Sequence, residues 1–253
     1  MGIPDSFEKL TLIDVRPVVL GHNLVFTGWL GFHKNTEFKM RSGVYHIKRF
    51  DRINEEYWKV QGAPDAQSIY NHDHPLKEVL FFEFFAAAAT LLGCVDSLFQ
   101  EVNCAFQLGL SPTRENGKTE VSLASVRTAL KARTPVGQTL ARLDSLETDP
   151  ANAWFRFLRR LRNTALHADL YSSSSEMRNV NEIIRRIESK EGSIHTKEDL
   201  LKEVKRDVVF RLDKQDIYIT GTIHAIAEET FKWIDASYRE IESDLDSISG
   251  RRT

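Results

Sequence analysis

Cysteine is scarce in this chain of 253 residues: only Cys94 and Cys104 occur. If both lie on one helix, ten residues of separation keep them too far apart for a disulfide. That argues against a disulfide-stapled extracellular scaffold and for a reducing, cytoplasmic setting. Charge of one sign is lacking too. The 34 Lys and Arg stand against 36 Asp and Glu, for a net charge of -2 and a pI near 6.5. No global pull on nucleic acid exists, so any such binding must come from a local patch. There is no glycine-rich phosphate loop, no G-x-S-x-G elbow and no paired-cysteine zinc pattern, which weakens NTPase, serine hydrolase and zinc-finger readings. No long clean apolar run is present either. The nearest, "VLFFEFFAAAATLLGCV", is broken by Glu83 and followed at once by Asp96, short of the roughly 20 apolar residues a membrane span needs. A buried helix is expected there, and no membrane partner. The opening "MGIPDSFEKL" has neither a basic leader nor an apolar core, so no secretory signal is expected. Its Gly2 and Ser6 match the loose myristoylation pattern only by chance.

What is present suffices for a core: 42% of residues are apolar and 10% aromatic, enough for one large domain or a domain with an appendage. Residues 10–33 hold β-branched and aromatic residues punctuated by Pro17, Gly21, Gly28 and Gly31, which predicts one or two short strands. Phe50, Ile53, Tyr57 and Val60 recur at helical spacing. From Leu76 to about Leu108 one long helix is expected, stopped by "SPTRENGK". A short helix near 121–131 and another from about Asn152 to Tyr171 follow, the second opened by Pro150. "SSSSEMRN" reads as a mobile polar connection, and 180–205 as one or two polar helices. "VVFRLDKQDIYIT" alternates as a β-hairpin does. The last helix, 222–245, carries Ile223, Ile226, Ala227, Thr230, Ile234, Tyr238 and Ile241 along one side. The fold class is therefore mainly α, with a small β element made of N-terminal strands and a hairpin near 207–220. Residues 1–70 would form an N-terminal α/β extension and 71–248 a helical bundle.

The chemistry concentrates in "FLRRLRNTALHADLY". Trp154, Leu158, Leu161, Ala165 and Ala168 fall at spacings of four and three and form an inward face. Arg159, Asn163 and His167 follow one another at steps of four and make a polar edge. Arg162 lies about 140° around the helix from His167, with a side chain long enough to swing toward that edge. No acidic residue offsets Arg156, Arg159, Arg160 and Arg162 between Ala151 and Ala168. A guanidinium fork matches two phosphate oxygens, and an imidazole moves a proton near neutral pH. Together they suit RNA cleavage by attack of the 2′-hydroxyl on the adjacent phosphorus, without a metal or any other cofactor. Arg41 to His46, Arg16 to His22 and Arg160 to His167 offer similar spacings. Pro17 and Gly43 disqualify the first two as helix interiors, and only in Arg162 to His167 does the asparagine directly follow the arginine.

Arg162, Asn163, three residues and His167 resemble the R-N-x-x-x-H signature of HEPN domains, helical bundles many of which are metal-independent endoribonucleases in toxin and antitoxin, antiviral and RNA-processing systems. The resemblance covers six residues, within a helical context of about 76–245. It implies an HEPN-like bundle and a homodimer whose arginine and histidine helices meet in a shared cleft. It further implies Arg162 as phosphate ligand, His167 as proton-transfer residue and Asn163 as the group that orients them, and RNA and an antitoxin or regulatory protein as partners. Arg156, Arg159 and Arg160 are then the cations that draw the RNA backbone. The bland alternative is a solvated basic face with a histidine that favours the helix macrodipole, and a non-catalytic HEPN-type dimer binding RNA, a nucleotide or a protein is the alternative function. Glu83 and Asp96 are carboxylates in apolar surroundings that call for cations or donors; Asp96 is placed to meet an arginine of a neighbouring helix, either to orient Arg162 or as a structural ion pair. Phe81, Phe82, Phe84 and Phe85 read as core and interface filler. His72, Asp73 and His74 supply too few ligands for a metal, and a helix cap at Asn71 or Asp73 serves as well.

Overall fold

A computed structural model describes residues 23–60, 75–112, 120–133, 137–165, 174–178, 205–212 and 215–249. The elements in order are α1 (Asn23–Val60), α2 (Pro75–Ala105), α3 (Leu123–Lys131), α4 (Gln138–Thr148), a 3-10 turn (Pro150–Asn152), α5 (Ala153–Ala165), β1 (Ser174–Arg178), β2 (Lys205–Leu212), β3 (Gln215–Tyr218) and α6 (Ile219–Ser249). The protein is mainly helical. Its chain divides into two compact units: one comprises 1–45, 86–166 and 225–253, the other 46–85 and 167–224. The division thus cuts across α1, α2 and α6.

In the first unit the core is helix on helix. On α2, Ala87, Leu91, Val95, Leu98 and Val102 repeat at spacings of four and three, and all are buried, the pattern a helix face needs to pack inward. Gly43 of α1 lets α2 come close, since a Cβ there would stand 3.3 Å from Leu91 Cδ2. By length and composition α2 could span a bilayer, but 56% of its apolar window is buried inside the protein. Both cysteines lie on it and neither is in a disulfide, and burial pushes the Cys94 thiol up to about 12. All seven residues expected on one side of α6 are buried.

One of the short helices here depends on a partner far away in sequence. Helix α3 has its own capping box between Ser122 and Ser125, whereas α4 starts after Gly137 with no side-chain cap of its own. Its first amides instead donate to the buried Asp244 of α6, Thr139 N at 2.8 Å and Gln138 N at 3.4 Å. A carboxylate there meets both the orphan donors and the positive end of the helix dipole. Arg142 adds a two-pronged contact to Glu240, with Nε at 2.8 Å from Oε2.

Helix α2 ends at Ala105, before the Pro112 and Gly117 breakers, because Gln107 turns left-handed at φ 50° and Leu108 N donates back to Asn103 O at 2.9 Å. The Arg133 guanidinium donates to the Phe106 and Gln107 carbonyls, and Asn103 bonds both backbone groups of Leu110. A left-handed residue with a Cβ is strained where glycine is not. Gln107→Gly should therefore stabilise the fold by about 0.5–1 kcal/mol, read as a higher midpoint in urea unfolding; a lower midpoint would mean that the Gln107 side chain contributes more than its backbone costs.

The second unit holds a three-stranded antiparallel sheet in the order β1-β2-β3. The hairpin expected from the alternation is there, with Val209 opposite Tyr218 and Leu212 opposite Gln215. Ser174–Arg178, expected as a mobile connection, is instead a strand paired to β2, Ser175 opposite Val208. Glu83 is 7% exposed and finds the cation its burial demands: Arg49 Nε donates to it at 2.8 Å and His46 Nδ1 lies 2.8 Å away. Asp51 pairs with His224 at 2.8 Å. Phe50, Ile53 and Tyr57 are buried, but Val60 is exposed. Phe81 and Phe84 are buried, while Phe82, also expected as filler, is 73% exposed.

One expectation about the N-terminus is corrected. Residues 23–33 are not strands but the start of α1, whose 38 residues run on through Gly28, Gly31 and Gly43; packing of its long inward face outweighs weak local propensity. Residues 10–22, the metal candidates 72–74, Gly2 and the polar stretch 180–204 lie outside the described residues.

Candidate active site

Helix α5 is sharply two-faced. Trp154, Phe155, Leu158 and Leu161 are buried, with the Trp154 ring edge-on to Trp233 at 6.3 Å, which leaves the opposite side of the helix to water. Asp149 begins the preceding turn by accepting from Ala151 N at 2.9 Å. Arg156, Arg159 and Arg162 are exposed, and Arg160 is intermediate with its Nε buried.

These arginines do not form a uniform row. Arg156 donates to the Glu147 and Asp149 carbonyls at 3.3 and 3.2 Å, which leaves its charge intact. Arg159 pairs with the Glu147 carboxylate at 3.2 Å and stands 5.7 Å above the Phe155 ring. Arg162 Nη1 donates to Asp96 Oδ2 at 3.2 Å, and both side chains are about half exposed, at 47% and 50%. The two residues singled out separately in the sequence, one on α2 and one on α5, are thus brought together. Asn163 belongs to the α5 backbone, but its side chain and the whole of His167 lie outside the described residues.

Lys39 joins this pair and had no sequence signal beyond its charge. Its Nζ donates to Gly93 O at 3.0 Å and to Ser97 Oγ at 2.7 Å. Gly93 makes room for it, since a Cβ there would lie 3.3 Å from Lys39 Cδ. Asp96 therefore sits among Arg162, Lys39 and Arg159. Burial raises its pKa above the usual carboxylate value, while Arg162 first, then Lys39 and Arg159, pull the other way. The result is one half-shielded carboxylate holding a permanent cation at the surface, an arrangement that can present a guanidinium to an anionic ligand.

A second polar cluster lies in the same unit, and sequence reasoning missed it. Glu101 of α2 is fully buried. It accepts from Thr36 Oγ1 at 2.5 Å, from Tyr238 Oη at 2.8 Å and pairs with His33 Nδ1 at 3.0 Å. The His33 ring stacks on Trp29 at 4.8 Å. The signal that drew attention to Glu83 and Asp96, a carboxylate on an apolar helix, applied equally to Glu101. Burial and the Glu101 charge push the Tyr238 hydroxyl well above its ordinary value. For His33 burial acts to lower the pKa, but the hydrogen bond and charge of Glu101, with Glu37, outweigh it and leave the pKa raised. A raised folded pKa means that the imidazolium stabilises the fold below the unfolded value of 6.5, and that this contribution fades as pH rises through the folded pKa. The stability advantage of wild type over His33→Gln should accordingly be largest well below the unfolded value of 6.5 and shrink as pH rises above it, followed by urea unfolding across pH. A constant difference would show that His33 does not titrate there.

Among the described residues no group of three or more His, Cys, Asp or Glu side chains is arranged to hold a metal ion. No family model matches this chain, and no curated protein or solved structure does so either.

Proposed function

We propose that the protein is a metal-independent endoribonuclease with an HEPN-like helical bundle, cytoplasmic and homodimeric, acting as a toxin or as a defence or RNA-processing effector under an antitoxin or regulatory partner. The observation that carries this reading is Arg162: a permanent cation on the solvent face of α5, held by Asp96 and followed in sequence by Asn163 and His167. His167 takes the proton of the 2′-hydroxyl, the 2′ oxygen attacks phosphorus, and the P–O5′ bond breaks as O5′ takes up a proton. Arg162 stabilises the charge that grows on the non-bridging oxygens, and Asn163 orients the pair. Arg156, Arg159 and Arg160 attract the backbone, so binding weakens steeply with salt.

The test is incubation of wild type and His167→Ala with end-labelled RNA in excess chelator, read on a denaturing gel. Cleavage by wild type alone, leaving 2′,3′-cyclic phosphate ends, is the expected result. Equal cleavage by the variant would remove His167 from the mechanism. A second reading, a non-catalytic dimeric module that binds RNA, a nucleotide or a protein, is favoured by one observation: Arg162 and Arg159 already have carboxylate partners, as structural cations do. RNA bound intact by both proteins would support it.

A further inference from the structure

The outer face of α1 in the first unit carries a pattern that neither the core nor the α5 arginines account for. Phe38 is 69% exposed and Tyr45 56% exposed, and Lys34 and Arg41 beside them also face solvent. Spacings of four, three and four place these residues within about 60° of the helix circumference. Cation and aromatic alternate along that strip, with rises of about 6, 4.5 and 6 Å between successive residues. Scattered single apolar residues at a surface are ordinary, but a strict alternation of ring and cation is a specific chemistry.

A helix seam for another protein, or for a second copy of this chain, would put apolar side chains at both the three-spaced and four-spaced positions. Here Lys34 and Arg41 occupy half of them. Unpaired nucleotides match the alternation: each base offers a flat face to an aromatic ring, and each phosphate an anion to the cation beside it. A duplex keeps its base faces stacked inside and cannot use the rings. Glu37 pairs with Arg41 on this face, but an exposed pair of that kind is weak in water and yields readily to a phosphate.

We infer that this face of α1 is a docking track for single-stranded RNA, with bases stacked on Phe38 and Tyr45 and phosphates paired with Lys34 and Arg41. It shares a ligand class with the ribonuclease reading but none of its residues, so either can fail alone.

The test uses the full chain carrying His167→Ala, so that RNA stays intact, and measures binding of a fluorescent single-stranded oligouridylate by anisotropy. Phe38→Ala with Tyr45→Ala should weaken binding by roughly 25-fold or more, since each base-on-ring stack is worth about fivefold at its lower limit. Lys34→Glu with Arg41→Glu should weaken it further and flatten its salt dependence. Affinity for a duplex of equal length should not respond to the aromatic changes. All four positions are exposed, and circular dichroism and urea unfolding of each variant check that the fold is kept. No binding by the parent protein, or unchanged affinity in the aromatic variant, overturns the proposal. So does a shift of the aromatic variant to a smaller species in sedimentation with RNA affinity unaltered, which would make the face a protein interface. Stack-dependent binding by a protein whose wild type cuts no RNA would uphold the track and overturn the nuclease.

Discussion

Arg162→Ala should lower the rate of RNA cleavage by about 10²–10³-fold, the usual cost of losing one preorganised donor to a developing oxyanion. Stability should hardly change. The guanidinium is half exposed and its only described carboxylate partner, Asp96, is equally exposed, and such a pair contributes about 0–1 kcal/mol in water. A large kinetic loss beside a small unfolding change would separate a catalytic cation from a structural one. Arg162→Lys should restore only part of the rate, because an ammonium supplies charge without the two-pronged fork. Asp96→Asn should cost less than Arg162→Ala, since it loosens the cation without removing it. If Arg162→Ala cuts RNA at the wild-type rate, Arg162 serves only as the partner of Asp96 and the nuclease assignment loses its phosphate ligand.

Glu101→Ala should destabilise the protein by about 3–5 kcal/mol, the range measured when one member of a buried charged network is removed. Three donors converge on this carboxylate inside the first unit: the hydroxyls of Thr36 and Tyr238 and the His33 ring. Tyr238 is 4% exposed, so its hydroxyl finds no water when Glu101 is cut back and carries its own desolvation cost, whereas the Thr36 hydroxyl keeps the Phe32 carbonyl at 3.2 Å. Against a total stability of about 5–15 kcal/mol for a typical domain, this is a large loss for one side chain. Glu101→Gln, which keeps an acceptor in place, should cost markedly less, and the pH dependence conferred by His33 should disappear with the charge. Urea unfolding of the three proteins measures this; a loss below about 1 kcal/mol for Glu101→Ala would show that the donors rearrange onto one another.

Much of the architecture was legible because periodicity is a local property. The seven buried positions of α6 and the buried repeat of α2 follow from side chains recurring at 3.6 residues, and the β2–β3 hairpin from alternation at 2. The inward face of α5, from Trp154 to Leu161, is of the same kind, as is the solvent face that carries Arg162. Where sequence reading failed, the decisive partner lay elsewhere in the chain. Helix α4 passed unnoticed because its start is capped by Asp244, 105 residues away from Thr139. The Ser-rich β1 is a strand because β2 supplies its hydrogen bonds. Residues 23–33 read as strands because glycines punctuate them, yet they continue a helix whose inward side chains are buried.

The candidate site divides the same way. Charge, residue type and helical spacing named Arg162, its neighbouring arginines and Asp96, and composition alone set the need for a cation beside each carboxylate on an apolar helix. Which cation meets which carboxylate is a property of packing: Arg162 meets Asp96, Arg49 and His46 meet Glu83, and three donors meet at Glu101. A sequence specifies the faces that its helices must bury, because hydrophobic burial acts on each helix through a local repeat. Only the tertiary structure decides the polar pairs, because a hydrogen bond reaches about 3 Å and its partners are chosen by the helix placements that the apolar faces impose.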